Sequence, residues 1–196
     1  MSWYENKGNK NDMIISTRVR LARNIVNFPF PLAMSPSQAE EVIKLVWDAL
    51  SPLANEFTLY RIDKMDQNSR QVLIEKHLIS TELDSSFPRA AIINKDESIS
   101  IMVNEEDHIR IQCLLAGYDT DSAYETADKI DTLINEKIEY AFHEKYGYLT
   151  ACPTNTGTGM RVSVMMHLPA LSLSGGMNSL LSKAAKLGMT ARGLFG

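Results

Sequence analysis

Arg18 and Arg20 stand two residues apart in "STRVRLARN" (16–24), and Arg110, Arg161 and Arg192 recur in later segments that also read as strands or strand starts. A guanidinium keeps its charge and offers a rigid fork of donors matched to phosphate oxygens. Arginines at i and i+2 on a strand project to one side, so several such positions around one cavity would clamp an anion without a glycine-rich loop. The second set is acidic. "VNEEDHIRIQ" (103–112) packs Glu105, Glu106, Asp107 and His108 together, two places before Arg110. Strands are depleted in acids, so the run reads either as a solvated turn between two strands or as a site. Phosphoryl transfer requires alignment and charge neutralisation more than covalent chemistry. A guanidinium acceptor, with a pKa above about 12, needs a carboxylate to orient it and take its proton. Glu105 or Glu106 beside an arginine clamp could serve.

Cys152 precedes Pro153 in the loop "CPTNTGTGMR" (152–161) and is either a reactive thiolate beside a cation or a small packed residue. His77, late in a predicted helix, reads as a cap, a packed side chain or a ligand contact, and His167 reads as structural. There is no GxxxxGK[ST] loop and no protein-kinase motif set. "GTG" at 157–159 is too short to carry weight, and no Cys or His spacing suggests a metal site.

These residues need a scaffold. The partial period of two over 12–25 places Ile15, Thr17, Val19 and Leu21 on one strand face and Ser16, Arg18 and Arg20 on the other. Ser35 and Pro36 open a helix over 35–50, with Val42, Ile43, Val46, Trp47 and Leu50 as its stripe. A strand is expected at 56–62, a helix at 66–78, and successive strands at 89–94, 98–104 and 108–115. The spacing predicts the longest helix at 121–145, closed by Gly147, then a strand at 160–168. A helix follows Pro169 and ends at Gly188, and a strand begins in "MTARGLFG". Strands adjoining strands, with helices between the groups, give an α+β class built on an antiparallel sheet flanked by helices.

At 196 residues, 44 % apolar and 22 % charged, the chain suits one soluble domain. A net charge of −4 argues against a nucleic-acid binder, and two cysteines cannot form a disulfide framework. No run approaches the roughly 18 apolar residues of a membrane span, and the N-terminus lacks a signal-peptide core, so cytoplasm is the expected location.

"STRVRLARN", "VNEEDHIRIQ", "CPTNTGTGMR" and "ARGLFG" resemble, in order, the motifs of the phosphagen kinase (ATP:guanido phosphotransferase) catalytic domain. "IEKHLIS" (74–80), "HIRIQCL", "GYLTACPTN" and "MMHLPAL" look closer to the bacterial protein arginine kinases. The resemblance spans about Asp12 to Gly196, leaving 1–11 as an N-terminal tail. It implies a glutamine-synthetase/guanido kinase-like sheet of eight strands, with ATP and Mg2+ as cofactors. Arg18, Arg20, Arg110 and Arg161 would grip the phosphates, with Ser16, Thr17, Val19, Val162, Ser163, Val164 and Met165 beside them. His77 would lie against the adenine, and Arg192, Gly193, Leu194, Phe195 and Gly196 would line the same site. Glu106 would hold and deprotonate the acceptor, with Glu105 and Asn155 as further substrate contacts and Cys152 beside the guanidinium.

The function implied is phosphorylation of arginine side chains in proteins, marking them for Clp-type degradation. Implied partners are arginine-bearing proteins, a zinc-binding activator, the Clp machinery and a second copy of the chain. A small-molecule guanidino kinase and a non-catalytic module binding nucleotide or phosphoarginine remain alternatives. Creatine and arginine kinases carry a helical domain ahead of this region and an arginine where Phe195 stands; both differences favour the bacterial branch. The family's domain continues past "RGLFG" into a loop with a second substrate carboxylate, so 12–196 reads as a partial domain with little activity of its own.

Overall fold

The computed structural model describes residues 2–5, 8–10, 12–81 and 87–193. Its frame is an antiparallel sheet of six strands: β1 (Ile14–Arg23), β2 (Phe57–Arg61), β3 (Ala90–Asn94), β4 (Ile99–Val103), β5 (Ile109–Ala116) and β8 (Met160–Met166). They lie in the order β2-β3-β4-β5-β1-β8. Short strands β6 (Phe142–His143) and β7 (Gly147–Tyr148) form a separate ribbon. Six strands in the sheet, rather than the eight implied by resemblance, are present among the described residues.

The two faces of the sheet are covered unequally. Helices α1 (Pro36–Ala49) and α3 (Thr120–Asn135) lay Val42, Ile43, Val46, Ala127, Ile130 and Ile134 on one face. There they meet Val19, Leu21, Ile101, Val103, Ile109 and Ile111 in the main core. Helix α1 starts as its sequence dictates: Ser35 and Gln38 cap each other reciprocally and Pro36 takes the first turn. On the opposite face α2 (Gln67–Glu75) and the residues after it cover the β2–β4 half and reach the Leu114 end of β5, through Leu73, Leu78 and Ile79 against Ala91, Ile93, Met102 and Leu114. Beyond that edge the same face presents Arg110 of β5, Arg18 and Arg20 of β1 and Arg161 of β8 to an open cleft.

Several predicted boundaries move, and the helix expected over 66–78 ends at Glu75, so His77 lies beyond it at φ 58°. The helix expected over 121–145 ends at Asn135, because residues 139–141 pair instead with Asn24–Val26, just beyond β1. Val26 N donates to Glu139 O (3.1 Å) and Ala141 N donates to Asn24 O (2.7 Å). Phe142 therefore lies in β6, and Gly147 does not close a helix. Gly147 sits in β7 at φ 76°, where a Cβ would come within 2.4 Å of the Gly157 carbonyl oxygen. The helix after Pro169 is split by Gly175 and Gly176 into α4 (Pro169–Leu173) and α5 (Met177–Lys186), which ends at Gly188 as expected. Finally, 189–193 carries no regular structure rather than the start of a strand, and Leu194, Phe195 and Gly196 lie outside the described residues.

Candidate active site

The uncovered half of the sheet forms a cleft of about 470 Å³ that gathers Arg18, Arg20, Arg110, Arg161, Arg192, His77, Glu105 and Glu106. Strand register explains the convergence. Arg20 lies opposite Arg161 on one side and Gln112 on the other, and Arg18 lies opposite Ser163. Alternation then puts Ser16, Ser163 and Met165 on the cleft face. Thr17 and Val19 pair with Val164 and Val162 and belong to the other face, where Val19 is fully buried.

The arginines crowd one another. Burial, followed by the charges of Arg161 and Arg110, lowers the Arg18 pKa. Burial and the charges of Arg18, Arg110 and Arg161 push Arg20 down to about 9, with Glu105 opposing. An anion entering this space would relieve a repulsion already present.

The acidic run is a turn, but not a solvated one. Asn104, at φ 61°, bends the chain after β4 and donates to the carbonyls of Ala39 (2.9 Å) and Pro88 (3.1 Å). Asp107 is fully buried, and its Oδ1 accepts from Asn24 Nδ2 (2.6 Å) and from Ala151 N (2.7 Å). His108 Nδ1 accepts from Ile25 N at 3.0 Å, so Nε2 carries the proton and donates to Pro29 O at 2.8 Å. Asp107 and His108 are thus the fasteners of the turn. Glu105 and Glu106 are what it presents: Arg110 Nη1 lies 2.5 Å from Glu105, and Nη2 lies 3.2 Å from Glu106. Because 104–108 is a turn rather than a strand, the two neighbouring glutamates are not sent to opposite faces, and both point at Arg110.

Cys152 and Asn155 lie in a 3-10 turn (Pro153–Asn155) next to, but not lining, the cleft. Cys152 Sγ is 3.0 Å from Thr154 Oγ1, and the Ala151–Asp107 bond ties its loop to the acidic turn. Arg89 and Gln112 line the cleft without having been singled out in the sequence. Gln112 was within reach of the period-two rule, being i+2 from Arg110. Arg89 precedes β3 and carries no spacing signal.

The cleft thus sets an arginine cluster facing paired carboxylates on an antiparallel sheet, the charge arrangement that phosphoryl transfer to a cationic acceptor requires. The family model of the ATP:guanido phosphotransferase C-terminal catalytic domain matches residues 38–196, and the chain belongs to that family. A protein-arginine kinase of Caldanaerobacter subterraneus subsp. tengcongensis is 48 % identical over 190 residues, covering 94 % of this chain and 56 % of the relative. Another, from Clostridium acetobutylicum, is 48 % identical over 200 residues, covering 100 % and 58 %. The chain thus spans a little over half the length of the curated relatives it matches. Among solved structures, the duplicated taurocyamine kinase of Schistosoma mansoni with bound transition-state analogue components superposes with a TM-score of 0.84. That match has 31 % identity and covers 94 % of this chain and 27 % of that one. A lombricine kinase gives 0.74 at 27 % identity, covering 83 % and 50 %.

Proposed function

We propose that this chain carries the nucleotide-binding and acceptor-activating part of an ATP-dependent protein-arginine kinase. The observation that supports it best is the convergence of Arg18, Arg20, Arg110 and Arg161, on adjoining strands of one sheet, with Glu105 and Glu106 in one cleft, in a chain 48 % identical to protein-arginine kinases. Arg18, Arg20, Arg110, Arg161 and Arg192 bind the phosphate oxygens, with His77 at the base end. Glu106, 43 % exposed at its side chain, faces the open cleft and binds the acceptor guanidinium, while Glu105 sets Arg110 in place. The guanidinium nitrogen attacks the γ-phosphorus as the bond to the β–γ bridging oxygen breaks. ADP leaves with that electron pair, and the nitrogen's proton passes to Glu106. Cys152 stands beside the acceptor end.

Among the described residues no three His, Cys, Asp or Glu side chains group to hold a metal. Both glutamates of the cleft are engaged by Arg110, so Mg2+ fits here on the nucleotide's own phosphate oxygens, the hard ligands it prefers. Bound there, it would neutralise charge on the transferring group. No helix among the described residues is long and apolar enough to cross a membrane. Cytoplasm, a zinc-binding activator, the Clp machinery and a homodimer are proposed from the family resemblance alone.

The test is incubation with ATP and an arginine-rich protein, reading ADP release and acid-labile phosphoarginine. Turnover on free arginine or another small guanidine, with none on protein, would replace the reading by a metabolite kinase. ATP binding without turnover on any acceptor would leave a nucleotide-binding module.

A further inference from the structure

The residues that follow α2 cross the floor of the cleft in a conformation that costs free energy twice over. Lys76 is the C-cap, and His77 occupies the next position in the left-handed region at φ 58°. His77 N donates to Ile74 O (2.9 Å) and Leu78 N donates to Leu73 O (2.9 Å), the bond pair of a helix end normally completed by glycine. A histidine here pays for a Cβ that glycine would lack.

The second cost lies beneath it. Ser100 on β4 and Gln112 on β5 are directly opposite each other and almost wholly buried, in a face otherwise filled by Met102, Leu114 and their neighbours. Each spends its hydrogen bond on the crossing segment: Gln112 Nε2 donates to His77 O and Ser100 Oγ to Leu78 O, both at 2.6 Å. Two apolar residues would pack this face at less cost, whereas a polar pair fixes one orientation. Local cost concentrated at one point of a cleft marks a functional constraint.

We propose that Gln112 is a positioning residue for the base end of the nucleotide, acting through His77. With Ser100 it pins two consecutive carbonyls to the sheet, and this fixes where the imidazole stands beside Arg18. The inference rests on the nucleotide reading of the cleft and adds a determinant of base recognition to it.

Calorimetry on the full chain separates the possibilities, using MgATP and inorganic triphosphate, which has no base, as probes. Gln112→Met keeps the volume and removes the donor. We expect five- to tenfold weaker MgATP binding and triphosphate affinity unchanged within twofold. His77→Gly should show the same selective loss, and the double variant should lose little more than either single one. NMR of the histidine C–H resonances gives an independent readout: in Gln112→Met the His77 signals should shift or broaden while those of buried His108 stay in place. Equal weakening of MgATP and triphosphate, additive losses in the double variant, or unaltered MgATP affinity would each overturn the inference. Failure of the unmutated chain to bind either probe would instead remove the nucleotide reading beneath it.

Discussion

The guanidinium of Arg110 stands 3.2 Å from the carboxylate of Glu106, the group proposed to take the acceptor's proton. An internal guanidinium therefore already rests against the base, and the acceptor has to share that carboxylate. Glu106→Gln removes the proton acceptor and no phosphate ligand. We expect phosphoryl transfer to be lost and MgATP affinity, followed by calorimetry, to stay within about twofold. Unimpaired turnover by this variant would falsify the assignment.

Glu105 should behave differently. It is 8 % exposed and its pair with Arg110 is nearly as enclosed. Breaking an enclosed pair leaves Arg110 with only the longer contact to Glu106 and costs more than loss of an exposed pair, which costs below about 1 kcal/mol. Glu105→Gln is therefore expected to lower unfolding stability well beyond Glu106→Gln in urea titrations. Its MgATP affinity should change by no more than about threefold, because loss of a negative charge from the anion site offsets the looser placement of Arg110. Equal stability of the two variants would contradict this division of labour.

In the proposed phosphate clamp, Arg18→Ala and Arg161→Ala would each remove a charge-assisted contact worth about 1.5–3 kcal/mol, roughly ten- to a hundredfold in affinity. Acceptor binding should change less than nucleotide binding. If calorimetry finds MgATP affinity intact in both, the clamp described here does not hold the phosphates.

His108 gives a pH signature. Burial, the largest influence, holds its pKa below the ordinary 6.5, against smaller upward pulls from the Pro29 carbonyl and Asp107. The unfolded chain then binds a proton more readily than the folded one, so stability is complete above about pH 6.5 and declines as pH falls from there toward the folded value. His108→Gln, which can still accept from Ile25 N and donate to Pro29 O, should start less stable at pH 8 and lose less between pH 7 and 5. His77, also lowered by burial and then by Arg18, keeps a residual slope in both proteins. Identical pH dependence in the two would show that His108 does not titrate with folding.

Much of this was legible in the sequence because it rests on periodicity. Alternation alone places Arg18 and Arg20 on one face, and the capping residues Ser35 and Pro36 mark the start of α1. What periodicity could not show were departures from it. Residues 136–145 keep a helical spacing of apolar side chains, yet their backbone pairs with Asn24 and Val26, a long-range contact that outweighs local preference. His77 carries no glycine to announce a left-handed turn. Nothing in the spacing of Glu105, Glu106 and Asp107 tells that Asn104 turns the chain and Asp107 anchors it from inside. The acids themselves were visible; which were ligands and which were fasteners was not.

The crowding of Arg18, Arg20, Arg110 and Arg161 bears on how the empty chain responds to its solvent. Like charges held together in a partly buried space oppose folding, and that opposition weakens as counterions gather. Monovalent salt can only screen it, whereas a multivalent anion can sit among the guanidinium groups and bind the folded form alone. At matched ionic strength, sulfate or pyrophosphate should thus raise the melting temperature more than chloride does, and Arg20→Gln should shrink that difference. The protein would report polyanion concentration through its own thermal stability, whether or not an acceptor is at hand.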